Sequence, residues 1–309
     1  MKFGIIKERK NPPDRRVVFS PGKLKEFKQQ FTEAQILVES SDIRVFTDKQ
    51  YADAGLEISE DMVSCDVLFG VKEVPVEALI PNKKYFFFSH TIKKQPYNRK
   101  LLQAILDKNI TLYDHETLVN ESNHRLIGFG YYAGVVGAYN GLRALGLKLN
   151  CFELPKATYL NDRAALNAQL DLLTMPNVKI VLTGSGRVGQ GAKEILDHLN
   201  IKKVSVDQFI NNSFKEAVYV QLDVLDYCKR QDGTTLGKKD FFNYPEAYQS
   251  TFDRFTSVAD FFIAGHFYGK GAPAFFTREQ AKSPRFNLKV VADISCDIDG
   301  PVACTIRPS

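Results

Sequence analysis

The sequence predicts an α/β protein made of two doubly wound parallel-sheet domains with a crevice between them, and three observations carry that prediction. Short apolar runs alternate with segments of helical period from the first residues onward, the pattern of βαβ units rather than hairpins. A glycine-rich turn, TGSGRVG at residues 183–189, follows an apolar run in mid-chain and opens a helical segment. At 309 residues and 44% hydrophobic, the chain is long enough for two cored domains.

The elements follow in order. Apolar runs at residues 3–6, 35–38, 67–69, 85–88 and 110–113 read as strands, with helices at 21–31 and 96–108 between them. Ser20 before Pro21 places a capping hydroxyl ahead of a proline at the first helical position. Residues 1–127 therefore form an N-terminal domain ahead of the glycine turn. Residues 127–147, IGFGYYAGVVGAYNGLRALGL, lack proline and carry no charge before Arg143, so they read as a long buried helix. Each glycine inside a helix costs about 1 kcal/mol relative to alanine, so these are expected to permit close packing between domains. The helix is assigned to a linker at 128–150. Residues 151–309 then hold a helix at 162–173, a strand at 177–183, a helix at 188–199, and a second apolar run at 204–206. Further strands are expected at 218–222, 261–264 and 289–294. The polar, turn-rich stretch 230–245 reads as a surface excursion.

Strand, glycine turn and helix in that order make a dinucleotide fingerprint, and hence a Rossmann-like domain. Gly184 serves the tight turn, Gly186 lets backbone approach a pyrophosphate, and Gly189 lets helix pack on strand. Ser185, Arg187 and Val188 complete the cofactor loop. An ordinary tight turn in a βα unit is the competing reading. Asp207, about 20 residues beyond the turn and at the end of the run 204–206, is placed to accept from a ribose 2′-hydroxyl, which favours NAD over NADP.

Composition narrows the rest. The 41 basic and 36 acidic residues are spread along the chain, with no block long enough for a nucleic-acid arm. No apolar stretch has membrane-spanning length, and the start runs from residues 1–6 straight into charge without a signal peptide. Five scattered cysteines without a C-x-x-C pair fit a reducing cytoplasm and give neither a disulfide framework nor zinc spacing, and Cys296 reads as a buried structural thiol. No metal site is expected.

In open parallel sheets, ligands bind beyond the carboxyl ends of strands. There the chain carries Lys7, Glu8, Asp14, Arg15 and Arg16 after the first strand, Lys72 and Glu73 after the third, His90, Lys93 and Gln95 after the fourth, and Asp114, His115 and Glu116 after the fifth. Oxidation of an amine needs a proton acceptor, a group for water and carbonyl protons, and cations for carboxylates. Lys72, His90 and Arg16 meet those needs, since a lysine among other cations becomes a base and histidine titrates near neutrality. Taken singly, each has a plainer reading as a solvated loop residue, a backbone-satisfying histidine or a surface ion pair. Asp114 and Glu116 could each cap the following helix.

These residues resemble the alanine dehydrogenase and saccharopine dehydrogenase (lysine-forming) superfamily along nearly the whole chain. KERKNPPDRRVVFSP at 7–21 is similar to the family's start, GVKEVP at 70–75 to the segment with its catalytic lysine, and FFFSHTIKKQ at 86–95 to that with its catalytic histidine. TLYDHETL at 111–118, Arg125, GFGYYAGVVGA at 128–138 and VADISCDIDG at 291–300 resemble the saccharopine branch. The resemblance implies Lys72 and His90 as catalytic, Arg16, Lys93, Glu116 and Arg125 as substrate-binding, and Asp293 and Asp297 near the nicotinamide. It implies an NAD-dependent oxidation of saccharopine to lysine and 2-oxoglutarate in an active-site crevice. The alternatives are an alanine-type or other amino- or imino-acid dehydrogenase, and a silent dinucleotide-binding sensor or scaffold. Family members continue past the equivalent of Ser309, which implies a second domain truncated at its C-terminal end.

Overall fold

The computed structural model describes residues 1–11, 13–269, 271–295 and 300–306, with Lys93 described by its backbone alone. The expectations for Cys296 and Asp297, and for the side chain of Lys93, lie outside the described residues. The chain divides into two units, Met1–Gly128 and Phe129–Ser309.

The first unit runs β1 (Lys2–Ile5), α1 (Pro21–Gln30), β2 (Gln35–Glu39), α2 (Asp48–Asp53), β3 (Glu57–Ser59), β4 (Val67–Phe69), β5 (Lys84–Phe87), α3 (Arg99–Asp107) and β6 (Thr111–Asp114). Its strands are all parallel in the order β3-β2-β1-β4-β5-β6. The chain starts at the centre, winds outward to one edge, returns, and winds to the other. That reversal puts the loops after β1 and β4 side by side, where such sheets bind ligands. Alternation along the strands supplies two cores. Leu37, Leu68, Tyr85 and Phe87 pack with Leu101, Ala104 and Ile105 of α3 on one face. Ile5, Ile36 and Val38 pack with Leu24 of α1 and Tyr51 of α2 on the other. As expected from the sequence, Ser20 caps α1 ahead of Pro21, its side chain accepting from Lys23 N–H.

The second unit runs α4 (Gly130–Leu149), α5 (Arg163–Leu170), β7 (Lys179–Thr183), α6 (Arg187–His198), β8 (Lys202–Lys203), α7 (Val206–Asn211), β9 (Val218–Leu222), α8 (Val224–Tyr227), β10 (Cys228–Arg230), α9 (Lys238–Asn243), β11 (Tyr248–Ser250), α10 (Asp253–Thr256), β12 (Phe261–Ala264), α11 (Arg278–Ala281) and β13 (Val290–Asp293). Its parallel sheet has the order β13-β12-β7-β9-β8, and β10 and β11 form a separate antiparallel pair.

Three expectations change. The helix assigned to a linker is α4, and it belongs to the core of the second unit, where Ala138, Leu142 and Leu145 are fully buried beside α6 and the sheet. Its small residues serve packing inside this unit. A Cβ on Gly134 would stand 2.0 Å from the Val188 carbonyl oxygen, and one on Gly141 would stand 2.6 Å from the Phe261 ring. The run 204–206 is not a strand. β8 ends at Lys203, and Ser205 and Gln208 form a capping box that starts α7 at Val206. The excursion 230–245 carries α9, whose Phe241 is buried in the core. Among the described residues, no helix is long and apolar enough to cross a membrane.

Candidate active site

In the first unit, the loops after β1, β4, β5 and β6 bring their charged residues together. Glu8, nearly buried, accepts from the backbone N–H of Val71 at 2.7 Å and of Lys72 at 2.9 Å. One carboxylate thereby fixes the turn that carries Lys72. Burial pushes the Glu8 carboxyl above its ordinary range, against those two hydrogen bonds. Arg16 grips Asp14 through its Nε, at 2.8 and 3.1 Å, and through Nη2. Burial alone would raise the Asp14 carboxyl, but the hydrogen bonds from Arg16 hold it below its ordinary value. Lys72 is pulled below the usual lysine value by burial first and by the charges of Arg16 and Lys10 next, with Glu73 and Asp14 opposing. A lysine so placed gives up its proton more readily than one in water.

His90 follows β5 in a left-handed conformation, φ 55°. Its Nδ1 lies 3.2 Å from Glu116 Oε2, and its Nε2 lies 3.8 Å from Glu73 Oε1. Arg125 Nη2 donates to Glu116 Oε1 at 3.0 Å. Glu116 is nearly buried, and its two oxygens connect the imidazole to the guanidinium of the half-exposed Arg125. The carboxylate assigned to substrate therefore orients His90 and Arg125. Glu73, a strand-end residue to which the sequence gives no role, also takes part. It joins Lys10, 3.4 Å away, to His90 and links the lysine side of the cluster to the histidine side. His115 and Asp114 support the loops from below: His115 Nε2 meets the Gly70 carbonyl at 3.1 Å, and Asp114 accepts from Ser89 Oγ.

The second unit has a cavity of about 390 Å³ at the carboxyl ends of three adjacent strands. Gly184, Ser185, Gly186, Arg187 and Val188 after β7 line it, with Asp223 and Val224 after β9 and Gly265, His266 and Phe267 after β12. The three glycines of the turn differ in what surrounds them. Gly184 has φ +92° and lies under Gly265, whose carbonyl oxygen is 2.5 Å from where a Cβ would stand. Gly189 packs on the Gly184 carbonyl oxygen, 2.2 Å from its would-be Cβ. A Cβ on Gly186 would meet nothing within 4 Å. That open backbone sits at the N-terminus of α6, where first-turn N–H groups have no acceptor within the helix and favour an anion.

Asp207 is not at this cavity. It lies in the first turn of α7 and accepts from Asn211 Nδ2 at 2.8 Å. The reason is strand order: β9, not β8, pairs with β7, so the carboxylate beyond the neighbouring strand is Asp223. Asp293 ends β13, and its carboxylate accepts from Ser295 N–H and Oγ at 3.1 and 2.6 Å and from Thr305 Oγ1 at 2.5 Å. Those bonds tie it to Ser295 and Thr305, and it does not line the cavity. His266 does, and no sequence signal pointed to it. Its Nδ1 lies 3.0 Å from Thr183 Oγ1, while its buried Nε2 has no hydrogen-bond partner among the described residues. Burial lowers its pKa to about 4, so the ring stays neutral near pH 7. Among the described residues, no group of histidine, cysteine and carboxylate side chains could hold a metal ion.

Residues 4–136 match the family described as alanine dehydrogenase/PNT, N-terminal domain. The mitochondrial alpha-aminoadipic semialdehyde synthase of Bos taurus is 31% identical over 87% of this chain and 33% of its own length. Residues 4–136 thus carry a domain of the alanine dehydrogenase family, and the chain as a whole is similar to proteins of the alanine dehydrogenase and saccharopine dehydrogenase superfamily. It spans about a third of the length of the semialdehyde synthases it matches. Saccharopine dehydrogenase [NAD(+), L-lysine-forming] of Yarrowia lipolytica is 23% identical over 86% of this chain and 68% of its own. A solved L-alanine dehydrogenase covers 98% of this chain with 76% of its own, at a TM-score of 0.63 and 16% identity. That likeness shows a shared α/β fold.

Proposed function

We propose that this chain catalyses NAD-dependent oxidation at the CH–NH bond of an amino acid, of the saccharopine type: saccharopine, oxidised NAD and water give lysine, 2-oxoglutarate, NADH and a proton. The observation that carries the reading is the continuous set Asp14, Arg16, Lys72, Glu73, His90, Glu116 and Arg125 at the strand ends of the first unit. The second unit's cavity fits the dinucleotide by its own features, namely an open glycine at a helix N-terminus and a carboxylate beyond the neighbouring strand. When bound there, NAD would accept the hydride.

The protein's residues do the rest. Lys72, made less basic by burial and neighbouring cations, takes the proton of the secondary amine. His90, held at Nδ1 by Glu116, moves protons at Nε2 as water adds and lysine leaves. Arg16, grouped with Lys72, and Arg125, grouped with His90, supply the separate cations that a substrate with several carboxylates needs. A small substrate such as alanine needs only one such clamp. The scattered cysteines suit a reducing compartment such as the cytoplasm.

The test is absorbance at the NADH band with saccharopine, with alanine, and with lysine plus 2-oxoglutarate. Saccharopine is expected to turn over in preference to alanine. Lys72→Met and His90→Gln should each lower kcat at least about 10-fold while leaving NADH binding in place, as expected for general acid–base groups. Turnover undiminished in both variants rejects the roles assigned here.

A further inference from the structure

The polar stretch 230–245, without a role in the sequence, is folded into the dinucleotide cavity. Its helix α9 is held from two sides. Phe241 is buried among Val224, Tyr227 and Tyr248, and Asp240 accepts from Arg230 Nη1 at 2.6 Å and from the Tyr248 hydroxyl at 2.9 Å. This anchoring fixes the first residue of the helix, Lys238, whose Nζ donates to Asp223 Oδ2 at 2.5 Å. Both side chains line the cavity that holds the glycine turn. Asp223 also accepts from Val224 N–H at 2.7 Å, so its carboxylate is oriented by backbone as well as by the lysine.

A lone carboxylate at this strand end accepts from a ribose diol and repels a 2′-phosphate. Here an ammonium cancels its charge. The lysine is half-exposed, on a flexible stem with three donors, and can transfer those donors from carboxylate to phosphate without moving the helix. We infer that Asp223 and Lys238 form a selector at the cofactor's 2′ position, Asp223 taking the ribose diol of a nicotinamide dinucleotide and Lys238 taking the 2′-phosphate of its phosphorylated form, so that the cavity accepts both. The inference rests on the dinucleotide reading of the cavity.

The test is titration of the full chain with NADH and, separately, NADPH, followed by nucleotide fluorescence. Dissociation constants within about 10-fold of each other are expected for the unaltered protein. Lys238→Ala should weaken NADPH at least about 10-fold and NADH less than about 3-fold, the loss of one charge-assisted phosphate contact. Asp223→Ser should act in the opposite sense, weakening NADH and leaving or improving NADPH. Binding of both nucleotides with a ratio unmoved by either substitution overturns the selector alone, as does NADH preferred by more than about 100-fold in the unaltered protein. Binding of neither overturns the dinucleotide reading and the selector with it.

Discussion

Gly186 and Gly189 stand three residues apart in one turn, and adding a methyl group to each should have separable consequences. At Gly189 the new Cβ would be 2.2 Å from the Gly184 carbonyl oxygen and 2.7 Å from its carbon. Ordinary contact needs about 3.4 Å, so α6 must retreat by about 1 Å, and overpacking of that kind costs about 1–3 kcal/mol. The turn has little room to yield, because Gly184 lies against Gly265 and its carbonyl accepts from Gln221 Nε2 at 3.0 Å. For a unit of this size the cost corresponds to a Tm lower by roughly 3–10 °C. At Gly186 a Cβ would meet nothing within 4 Å, and its φ of −75° suits alanine. Gly186→Ala should therefore change Tm by less than about 3 °C, the small cap preference of glycine over alanine. NADH affinity should fall at least about 10-fold in both variants, by displaced N–H donors in Gly189→Ala and by a methyl group in the pyrophosphate's path in Gly186→Ala. Thermal unfolding by circular dichroism and fluorescence titration with NADH give the two readouts. Undiminished NADH binding by Gly186→Ala would refute the pyrophosphate role of the turn, and an unshifted Tm in Gly189→Ala would refute the packing argument.

Two further outcomes depend on pH. His266 titrates at about 4 in the folded chain against 6.5 for the free group, so between those values the unfolded state binds more protons than the native one. Stability should be fully present above pH 6.5 and fall by about 3 kcal/mol as pH drops toward 4, and urea titrations of His266→Gln should lack that part of the slope; equal slopes in both proteins would disprove it. Lys72 must be neutral to accept a proton, so the rising limb of kcat/KM for amine oxidation should lie below pH 10.5. Lys10→Ala removes a neighbouring cation, stabilises protonated Lys72, and should move that limb to higher pH, whereas an unmoved limb would mean that Lys10 does not act on the base.

Most of the α/β architecture is legible in local pattern. The runs at 67–69, 218–222 and 261–264 are strands with those bounds, and the glycine turn joins a strand to a helix. Strand order is not legible in this way, because pairing is decided by contacts far apart in sequence. β8 has two residues, both lysines, which suits an edge position, and β9 takes the place beside β7. The carboxylate beside the glycine turn is accordingly Asp223 and not Asp207. One local signal was available: Ser205 and Gln208 spell a capping box, which marks a helix start where a strand end was expected. In the first unit the strand-end rule finds Arg16, Lys72, His90 and Glu116. It does not reveal how they connect. Glu8 fixing the backbone of Lys72 across 64 positions, and Glu73 meeting His90, depend on loop shapes that no period or spacing encodes.

The left-handed backbone of His90 has a consequence for what can stand at this position. A side chain with a Cβ pays about 1–2 kcal/mol to sit at φ 55°, and glycine would sit there at almost no steric cost. At position 90 the local backbone conformation alone thus favours a residue that has no imidazole to offer. Replacing His90 by glycine would ease the backbone while removing the imidazole that meets Glu116 and Glu73, so at this position local backbone preference and the proposed proton transfer oppose each other.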